Sequence, residues 1–570
     1  MHCFLLQADN VRCIPRAGKF CAGWALALLF LLNVAIPRAT GFKTEIGFNA
    51  LVDALGDDLP DGSGVVVSQV EANQGLENGP YMPDLADLEF DGKVIINGSN
   101  TNSDYSTHAR GMAKLFYGND TSLAPGITDI TVYEANDYLA NILKVNGIDP
   151  TAQAFKVQNH SWIGTYTNHN DDPMTATILQ ALRRMDFTID NQEMFVAAGI
   201  DNETSSEIPY LFAHSYNAIS VGRTDGDHST GETILAHYNP GRRKPDIVVP
   251  EISTSRATAV VSSAAALLYD SGSGTNSILT EPLKAILMAG ATKDEFPGWA
   301  HTSTNPLDET FGAGELNIFN SYKIQLGGEF EGSTSPPATP VGDYGWDYDV
   351  AEPGQALLYN FEVPEFNTGA ELSVLLTWNI KITDNNASNS FSPTHSLANL
   401  DLKLFNSTDT YLGELVDSSV STIDNVEHIY LTDLDPGTYT LRLTTSATRD
   451  FGLAWRLSNI APGVSYGDYN NNGVVDAADF TIWQDTLGSL LDLRADGDGN
   501  GVIGQADYLV WENGFGVIVP ASPTASAASS TTMAIPEPES LTLCFVILIL
   551  LARWLALRGL SHGMPRSRIA

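Results

Sequence analysis

The sequence is poor in cysteine and in basic residues. Its 570 residues include four cysteines, and 30 lysines and arginines stand against 68 aspartates and glutamates, a formal net charge of −38 at pH 7. A general nucleic-acid-binding protein needs a basic surface to neutralise phosphates, so no nucleic acid is expected as a partner. The length predicts several domains. Hydrophobic residues make up 43% of the chain, which excludes wholesale disorder.

The four cysteines are confined to the two ends of the chain. Three of them, Cys3, Cys13 and Cys21, fall within the first 41 residues, and Cys544 lies near the C-terminus. The long stretch between them has no thiol. A protein exported from the cytoplasm would therefore be held together by core burial and bound metal rather than by disulfides.

The first 41 residues have the pattern of a secretory signal peptide. Arg12, Arg16 and Lys19 precede an apolar run over residues 20–32, and small residues follow up to residue 41. This order of a basic region, an apolar region and a small-residue end predicts export. The expected location is the cell surface, the outer envelope or the medium.

The last 36 residues, 535–570, combine a Pro-Glu-Pro motif, an apolar run over 541–552 and a basic end. Together these features resemble the PEP-CTERM sorting signal of bacterial exported proteins. The resemblance implies a sorting enzyme in the membrane that acts on this segment. An ordinary membrane anchor is the alternative, and an extended run over 541–557 predicts membrane contact in either case. The small and polar residues 517–534 predict a flexible linker.

The middle of the chain consists of two regions with different hydrophobic patterns. In residues 42–325, short apolar runs alternate with helix-like stretches, which predicts an α/β domain with a parallel sheet covered by helices on both faces. From residue 328 to 460 the pattern has period two, as in 370–378, and predicts an antiparallel β-sandwich. The strands expected in the α/β domain are residues 65–70, 94–97, 127–133, 155–159, 194–198, 218–222 and 247–250.

Residues 466–516 contain an internal repeat with an offset of 28 residues. Each copy places oxygen-bearing side chains at loop positions 1, 3, 5 and 12, with glycine at position 6 and a valine carbonyl at position 7. This spacing of hard oxygen ligands predicts one calcium ion per loop, two in all. The expected ligands are Asp468, Asn470, Asn472, Val474, Asp476 and Asp479 in the first loop, and Asp496, Asp498, Asn500, Val502 and Asp507 in the second.

The details of this repeat resemble type I dockerins, which are small paired-calcium modules. The last ligand is aspartate where an EF-hand has glutamate, and one helix follows each loop. The resemblance implies calcium-dependent folding and a cohesin-like protein partner. Two Asx-rich turns without an ion are the alternative, although the matched tails 478–483 and 506–511 speak against it.

Three segments of the α/β domain carry groups suited to hydrolysis, which needs an acid, a base and a nucleophile. Glu71 ends an apolar strand, and catalytic groups gather at the carboxyl ends of strands in open α/β sheets. His108 lies at the start of an amphipathic helix. Ser255 opens a helix rich in small residues, where the positive end of the helix dipole favours developing negative charge.

The order acid, histidine, serine and the flanking motifs resemble the subtilisin-like (S8) serine peptidases. The motif Thr-Ser-x-Ala-Thr over 254–258 is similar to the family's nucleophile segment, and 244–250 is similar to the strand before it. Residues 195–203 are similar to the strand that ends in the oxyanion-hole asparagine, with two residues inserted. The resemblance spans residues 55–325, about half of the chain.

This resemblance implies a serine endopeptidase that acts on protein or peptide substrates. Ser255 would be the nucleophile, His108 the general base, Glu71 the group that orients His108, and Asn202 an oxyanion donor. Asp104, four residues before His108, is a rival for the orienting role. The substrate-binding strand of the family implies a pocket lined by Ser161, Trp162 and Gly164, and His160 is either a pocket residue or a packing residue.

Some residues depart from the family pattern. Glu71 occupies a position where the family has aspartate, so its carboxylate sits one methylene further from the backbone. Arg256 places a bulky cation directly after the proposed nucleophile. These departures leave a second interpretation open, a catalytically inactive peptidase-fold surface or adhesion protein that acts through its β-sandwich and dockerin-like module.

Overall fold

The computed structural model describes most of residues 41–517. The described part omits 76–78, 100, 102–103, 168–172, 205–206, 235–237, 239, 364–368, 386–389, 409–410, 460–466 and 471. Apart from one residue at each boundary, the predicted signal peptide, linker and sorting segment lie outside the described residues. Within the described part, no helix combines the length and the apolar character needed to cross a membrane.

A seven-stranded parallel sheet forms the centre of the first domain, in the order β2-β3-β1-β4-β5-β6-β9. Every neighbouring pair is parallel, which confirms the predicted α/β class. A short antiparallel pair, β7 and β8, lies outside it. The strands are β1 Val67–Glu71, β2 Val94–Asn97, β3 Asp129–Glu134, β4 Val157–His160, β5 Phe195–Gly199, β6 Ile219–Arg223, β7 Gly231–Glu232, β8 Arg243–Lys244 and β9 Ile247–Val249.

Helices cover both faces of this sheet. Successive side chains of β5 point to opposite faces, so Ala197 packs in the cluster that holds α3 and α6, and Val196 packs in the cluster that holds α5. This is why β5 is apolar on both of its faces. The helices are α1 Phe42–Glu45, α2 Phe48–Leu55, α3 Thr107–Tyr117, α4 Ala135–Asp137, α5 Thr175–Gln192, α6 Thr254–Ser271, α7 Thr280–Ala289 and α8 Ile318–Gly327.

The second domain is the antiparallel β-sandwich that the period-two pattern predicts. A five-stranded sheet, β10-β12-β19-β16-β17, faces a four-stranded sheet, β11-β20-β13-β18, and β14 and β15 form a separate hairpin. The strands are β10 Thr339–Pro340, β11 Tyr344–Ala351, β12 Ala356–Val363, β13 Ala370–Thr377, β14 Lys381–Asp384, β15 Pro393–Ser396, β16 Leu400–Thr408, β17 Tyr411–Ser419, β18 Val426–Leu434, β19 Gly437–Thr445 and β20 Arg449–Asn459.

The sandwich packs closely against the α/β domain. All eight residues of β13 are buried, because one face lines the sandwich core and the other packs against α7. The Thr377 hydroxyl donates to the Glu281 carbonyl at 2.7 Å. Gly452 of β20 lies so close to α7 that a Cβ there would be 2.3 Å from the Glu281 carbonyl carbon.

The repeat forms a small helical module with internal two-fold character. Helices α9 (Ala477–Thr486) and α10 (Gln505–Gly514) each follow one loop. The Trp483 indole donates to the Gly504 carbonyl, and the Trp511 indole donates to the Asp476 carbonyl, each at 2.8 Å. Each helix is thereby tied to the loop of the other copy.

Candidate active site

The carboxylate of Glu71 meets the imidazole of His108 at the carboxyl end of β1. Glu71 Oε2 lies 2.8 Å from His108 Nδ1. The Glu71 side chain is 1% exposed, whereas that of His108 is 41% exposed. The acid is therefore enclosed behind the imidazole, and the remaining ring nitrogen of His108 is the one available on the cleft side.

The start of α3 fixes the position of His108. The Ser106 hydroxyl accepts a hydrogen bond from the Ala109 amide at 3.2 Å and caps the helix, which places His108 in its first turn. The hydrogen bond to Glu71 is the main cause of a raised His108 pKa, and burial opposes it. Glu71 rather than Asp104 occupies the Nδ1 side of the ring.

Ser255 lies in the first turn of α6 but does not cap it. The cap is Ser253, whose hydroxyl accepts from the Arg256 amide at 3.3 Å. The Ser255 hydroxyl donates to the Ser161 carbonyl at 3.2 Å, and the Ser161 hydroxyl donates to the Ser255 carbonyl at 2.8 Å. Ser253 rather than Ser255 therefore caps the helix, and the Ser255 hydroxyl is directed at the Ser161 carbonyl rather than at His108 in this structure.

Asn202 is held against the same helix start. Its side-chain oxygen accepts from the Thr254 amide at 2.8 Å, and the Thr254 hydroxyl donates to the Ile200 carbonyl at 2.6 Å. The first bond uses the oxygen of the Asn202 amide. Its nitrogen, the donor end of the amide, is not used in this contact.

Arg256, the cation beside the nucleophile, is paired with a residue that the sequence reasoning missed. Its guanidinium donates to both carboxylate oxygens of Glu251, at 2.6 Å and 2.9 Å. This two-pronged geometry fixes the direction of the guanidinium. Arg256 is thus neutralised by a neighbour five residues away.

His108, Asn202 and Ser255 all line one cleft of about 430 Å³. Ser161 and Trp162 line it too. Residues far apart in the sequence are therefore brought to one concave surface, at the carboxyl ends of β1, β4 and β5. The arrangement supplies a hydroxyl nucleophile, an imidazole base with its carboxylate partner, and an amide donor.

Two residues near this wall stand outside the cleft lining. A Cβ on Gly164 would be 3.0 Å from the Trp162 ring, so glycine allows the backbone to lie close to that ring. His160 is fully buried, with its ring centroid 4.8 Å from that of Phe212 and its Nε2 2.8 Å from Gln158 Oε1. Burial lowers the pKa of His160 to about 3. Of the two interpretations of His160, the structure supports packing.

The two predicted calcium loops fold in the same way. Asp468 accepts from the Gly473 amide and Asp496 from the Gly501 amide, both at 2.8 Å. Both glycines have positive φ, 87° and 80°, which explains why glycine stands at position 6. The predicted ligands at position 12, Asp479 and Asp507, are buried. Each accepts hydrogen bonds from backbone amides of its own loop.

The charges of the second loop suit a cation. Carboxylate oxygens of Asp496, Asp498 and Asp507 all lie within 4.8 Å of one another. Burial first, and then the charges of Asp507 and Asp498, raise the pKa of Asp496. Calcium prefers oxygen donors, and this loop offers only oxygen donors. A bound divalent ion would also compensate the like charges, which otherwise repel one another.

No protein-family model matches the sequence, and no curated protein matches it. Among solved structures, the chain is similar to a cold adapted subtilisin-like serine proteinase, with 17% identity, 45% of this chain and 88% of that chain covered, and a TM-score of 0.29. It is also similar to fervidolysin from Fervidobacterium pennivorans, a keratinolytic enzyme related to subtilisin, with 15% identity, 68% and 61% covered, and a TM-score of 0.32. A third is the nisin leader peptidase NisP from Lactococcus lactis, with 14% identity, 47% and 89% covered, and a TM-score of 0.30.

Proposed function

We propose that the protein is a serine endopeptidase that hydrolyses peptide bonds in protein or peptide substrates. The observation that carries the proposal is the joint placement of Ser255, His108 and Asn202 on one cleft, with Glu71 bonded to His108 from behind. A hydroxyl, an imidazole, a carboxylate and an amide donor are the groups that acyl transfer requires.

Each residue has one task in this proposal. Ser255 Oγ attacks the substrate carbonyl carbon while His108 takes the hydroxyl proton. The Asn202 amide nitrogen and the Ser255 backbone amide stabilise the oxyanion. His108 then gives the proton to the leaving amine, and water, activated by the same imidazole, releases the acyl group from Ser255. Glu71 keeps its charge and holds His108 in the orientation in which the cleft-side nitrogen accepts a proton.

The pairing of Arg256 with Glu251 supports an active enzyme over the inactive alternative. A free guanidinium beside Ser255 would compete for substrate carbonyls and for the oxyanion. Instead, both of its bonded nitrogens are directed at one carboxylate of the same chain. The departure from the family pattern at Arg256 is thus accompanied by its own counter-ion.

Hydrolysis of denatured casein tests the proposal. The full chain, with calcium, is expected to generate new amino termini, and Ser255→Ala is expected to abolish them. Ser253→Ala is the matched control, because it removes a hydroxyl from the same helix start; it should cost about 1 kcal/mol of stability through the lost cap and leave hydrolysis in place. Hydrolysis by Ser255→Ala at the wild-type rate, or none by the folded wild type, would contradict the proposal, and the second result would favour the binding-protein interpretation.

The paired-loop module is proposed to bind two calcium ions and to dock onto a cohesin-like protein. The matched hydrogen bonds of the two loops and the gathered carboxylates of the second loop support the ions. Asp468 and Asp479, together with Asp496 and Asp507, would hold them through oxygen atoms. The module would then place the peptidase on a surface or in a complex.

Export and sorting are also proposed. The N-terminal 41 residues would direct export, and the C-terminal segment 535–570 would be processed by a membrane-bound sorting enzyme. The protein would then act outside the cytoplasm, with membrane contact through 541–557 before processing. Both proposals rest on the sequence patterns of the two ends.

A further inference from the structure

Gln69 is a polar side chain in the middle of a strand that is buried along its whole length. It is fully buried, two residues before Glu71 on β1, so both side chains point to the same face of the sheet. A buried amide is costly unless its hydrogen-bonding groups are satisfied. The partners of Gln69 therefore indicate why it is there.

Both ends of the Gln69 amide are bonded. Its nitrogen donates to Glu71 Oε1 at 2.7 Å and to the Ala109 carbonyl at 3.0 Å. Its oxygen accepts from the Tyr117 hydroxyl at 2.6 Å. A carboxylate and a carbonyl can only accept, so these partners fix which end of the amide is the nitrogen.

The three hydrogen bonds of Gln69 link Glu71 to α3, the helix that carries His108. Ala109 is the residue after His108, and Tyr117 is the last residue of the same helix, α3. The Gln69 amide thus links Glu71 Oε1, the carboxylate oxygen that does not contact His108, to the backbone carbonyl of the residue after His108. Burial first, and then the charge of Glu71, raise the pKa of Tyr117, so its hydroxyl keeps its proton and stays a donor.

A glutamate at the acid position has one more rotatable bond than an aspartate, and more rotamers to lose. A carboxylate held through one oxygen alone can turn about this extra bond. The second contact, to Gln69, removes that freedom, because the two oxygens of Glu71 are bonded to two different groups.

We propose that Gln69 is a positioning residue that holds Glu71 Oε1 so that Oε2 stays on His108 Nδ1. Its effect on rate rests on the proposed peptidase function. The contact itself does not, and it is testable without turnover.

The test replaces Gln69 by methionine, which has a similar volume and no amide. Gln158→Met is the matched control, because Gln158 is also fully buried, lies on the adjacent strand β4, and bonds to Ser68 on the opposite face of the sheet from Glu71. Gln69→Met is expected to lower kcat on casein-derived peptides about 10-fold with KM changed less than about 2-fold, and Gln158→Met to leave kcat within about 2-fold. Equal losses in the two variants would overturn the proposal.

A double-mutant cycle separates positioning from a general structural role. In a Glu71→Gln background the carboxylate is gone, so Gln69→Met should change kcat by less than about 2-fold. A merely structural residue would cost the same factor in both backgrounds, and that result would overturn the proposal. If Gln69→Met does not fold, Tyr117→Phe takes its place in the cycle, because it removes the hydroxyl that donates to Gln69 and keeps the ring. A loss of kcat of the same size in both backgrounds would again contradict the proposal.

Proton NMR of the full chain provides the readout that needs no catalysis. The His108 Nδ1 proton is assigned as the downfield resonance that is lost in His108→Ala. Gln69→Met should shift or broaden it, and Gln158→Met should not. An unchanged resonance in folded Gln69→Met would overturn the positioning role, even in a protein that hydrolyses nothing, whereas absent hydrolysis with a shifted resonance would overturn the peptidase proposal alone.

Discussion

The cleft and the paired loops both place carboxylates at defined positions, but they are built in opposite ways. Glu71 is enclosed, and its partner His108 comes from a different element 37 residues further along the chain. The loop carboxylates come from within 12 residues of one another and accept hydrogen bonds from their own loop backbone. The charge of Glu71 faces the imidazole of His108, whereas the carboxylates of Asp496, Asp498 and Asp507 in the second loop lie close to one another.

This difference indicates what each region requires to function. The acid–base pair is assembled by packing of β1 against α3, so it should be present whenever the α/β domain is folded. The second loop brings three carboxylates close together, which is unfavourable unless a cation is bound. Four measurements can challenge or refine this contrast, and their expected effects decrease in the order given.

Replacement of the acid should have the largest effect. Glu71→Gln keeps the shape but no longer holds the His108 tautomer, and kcat should fall on the order of 10³- to 10⁴-fold. Asp104→Asn is the control and should change kcat by less than about 2-fold. The assay is peptide hydrolysis at saturating substrate. A larger loss in Asp104→Asn would assign the orienting role to Asp104.

Removal of the oxyanion donor should have the next largest effect. Asn202→Ala deletes a side-chain amide whose oxygen is bonded to the Thr254 backbone amide at the start of α6. The expected loss in kcat is on the order of 10²- to 10³-fold, with KM much less affected, because the contact forms in the transition state. Steady-state kinetics measure both parameters. A variant that raised KM and kept kcat would show that Asn202 binds the ground state instead.

Calcium removal should affect the loops and spare the cleft. Isothermal titration of the calcium-free full chain should find two ions, and one ion in each of the matched variants Asp468→Ala and Asp496→Ala. Chelation should lower the stability of the module while kcat on short peptides stays within about 2-fold. Titration that finds no ions would remove the calcium module, and loss of kcat on chelation would show that the cleft depends on the loops.

The smallest effect is on the pH profile. In the proposed mechanism His108 acts as a base in its neutral form, so kcat/KM should be full above its pKa and fall as the pH drops through it. The bond to Glu71 raises this pKa, which places the acid midpoint above the ordinary histidine value of 6.5. Asp104→Asn should leave the midpoint unchanged. A wild-type midpoint at or below 6.5 would show that Glu71 does not support the imidazolium.

Local patterns in the sequence account for most of the central sheet. The strands predicted at 94–97 and 194–198 appear as Val94–Asn97 and Phe195–Gly199. The apolar run of β5 suits a strand buried on both faces, whereas β2 is an edge strand on which Val94 and Ile96 are exposed. The start of β1 is shifted from residue 65 to Val67. Gly64 has positive φ, and the chain turns just before the strand.

Contacts between distant segments could not be predicted in this way. The alternation in 370–378 predicts a strand but does not show that α7 covers its second face. The pairing of Arg256 with Glu251 and the enclosure of His160 depend on how separate elements meet. Gln69 was not singled out from the sequence, and its importance emerges only from its contacts with Tyr117 and Glu71.

The proposed function depends on Ser255 being a nucleophile that His108 and Glu71 activate. Labelling of the calcium-loaded full chain with a fluorophosphonate probe tests this directly. Mass spectrometry of the digested product locates the adduct. One adduct per chain, on Ser255, formed much faster than in Glu71→Gln, is the predicted result. An unlabelled but folded chain, or an adduct on another serine, would contradict this role of Ser255.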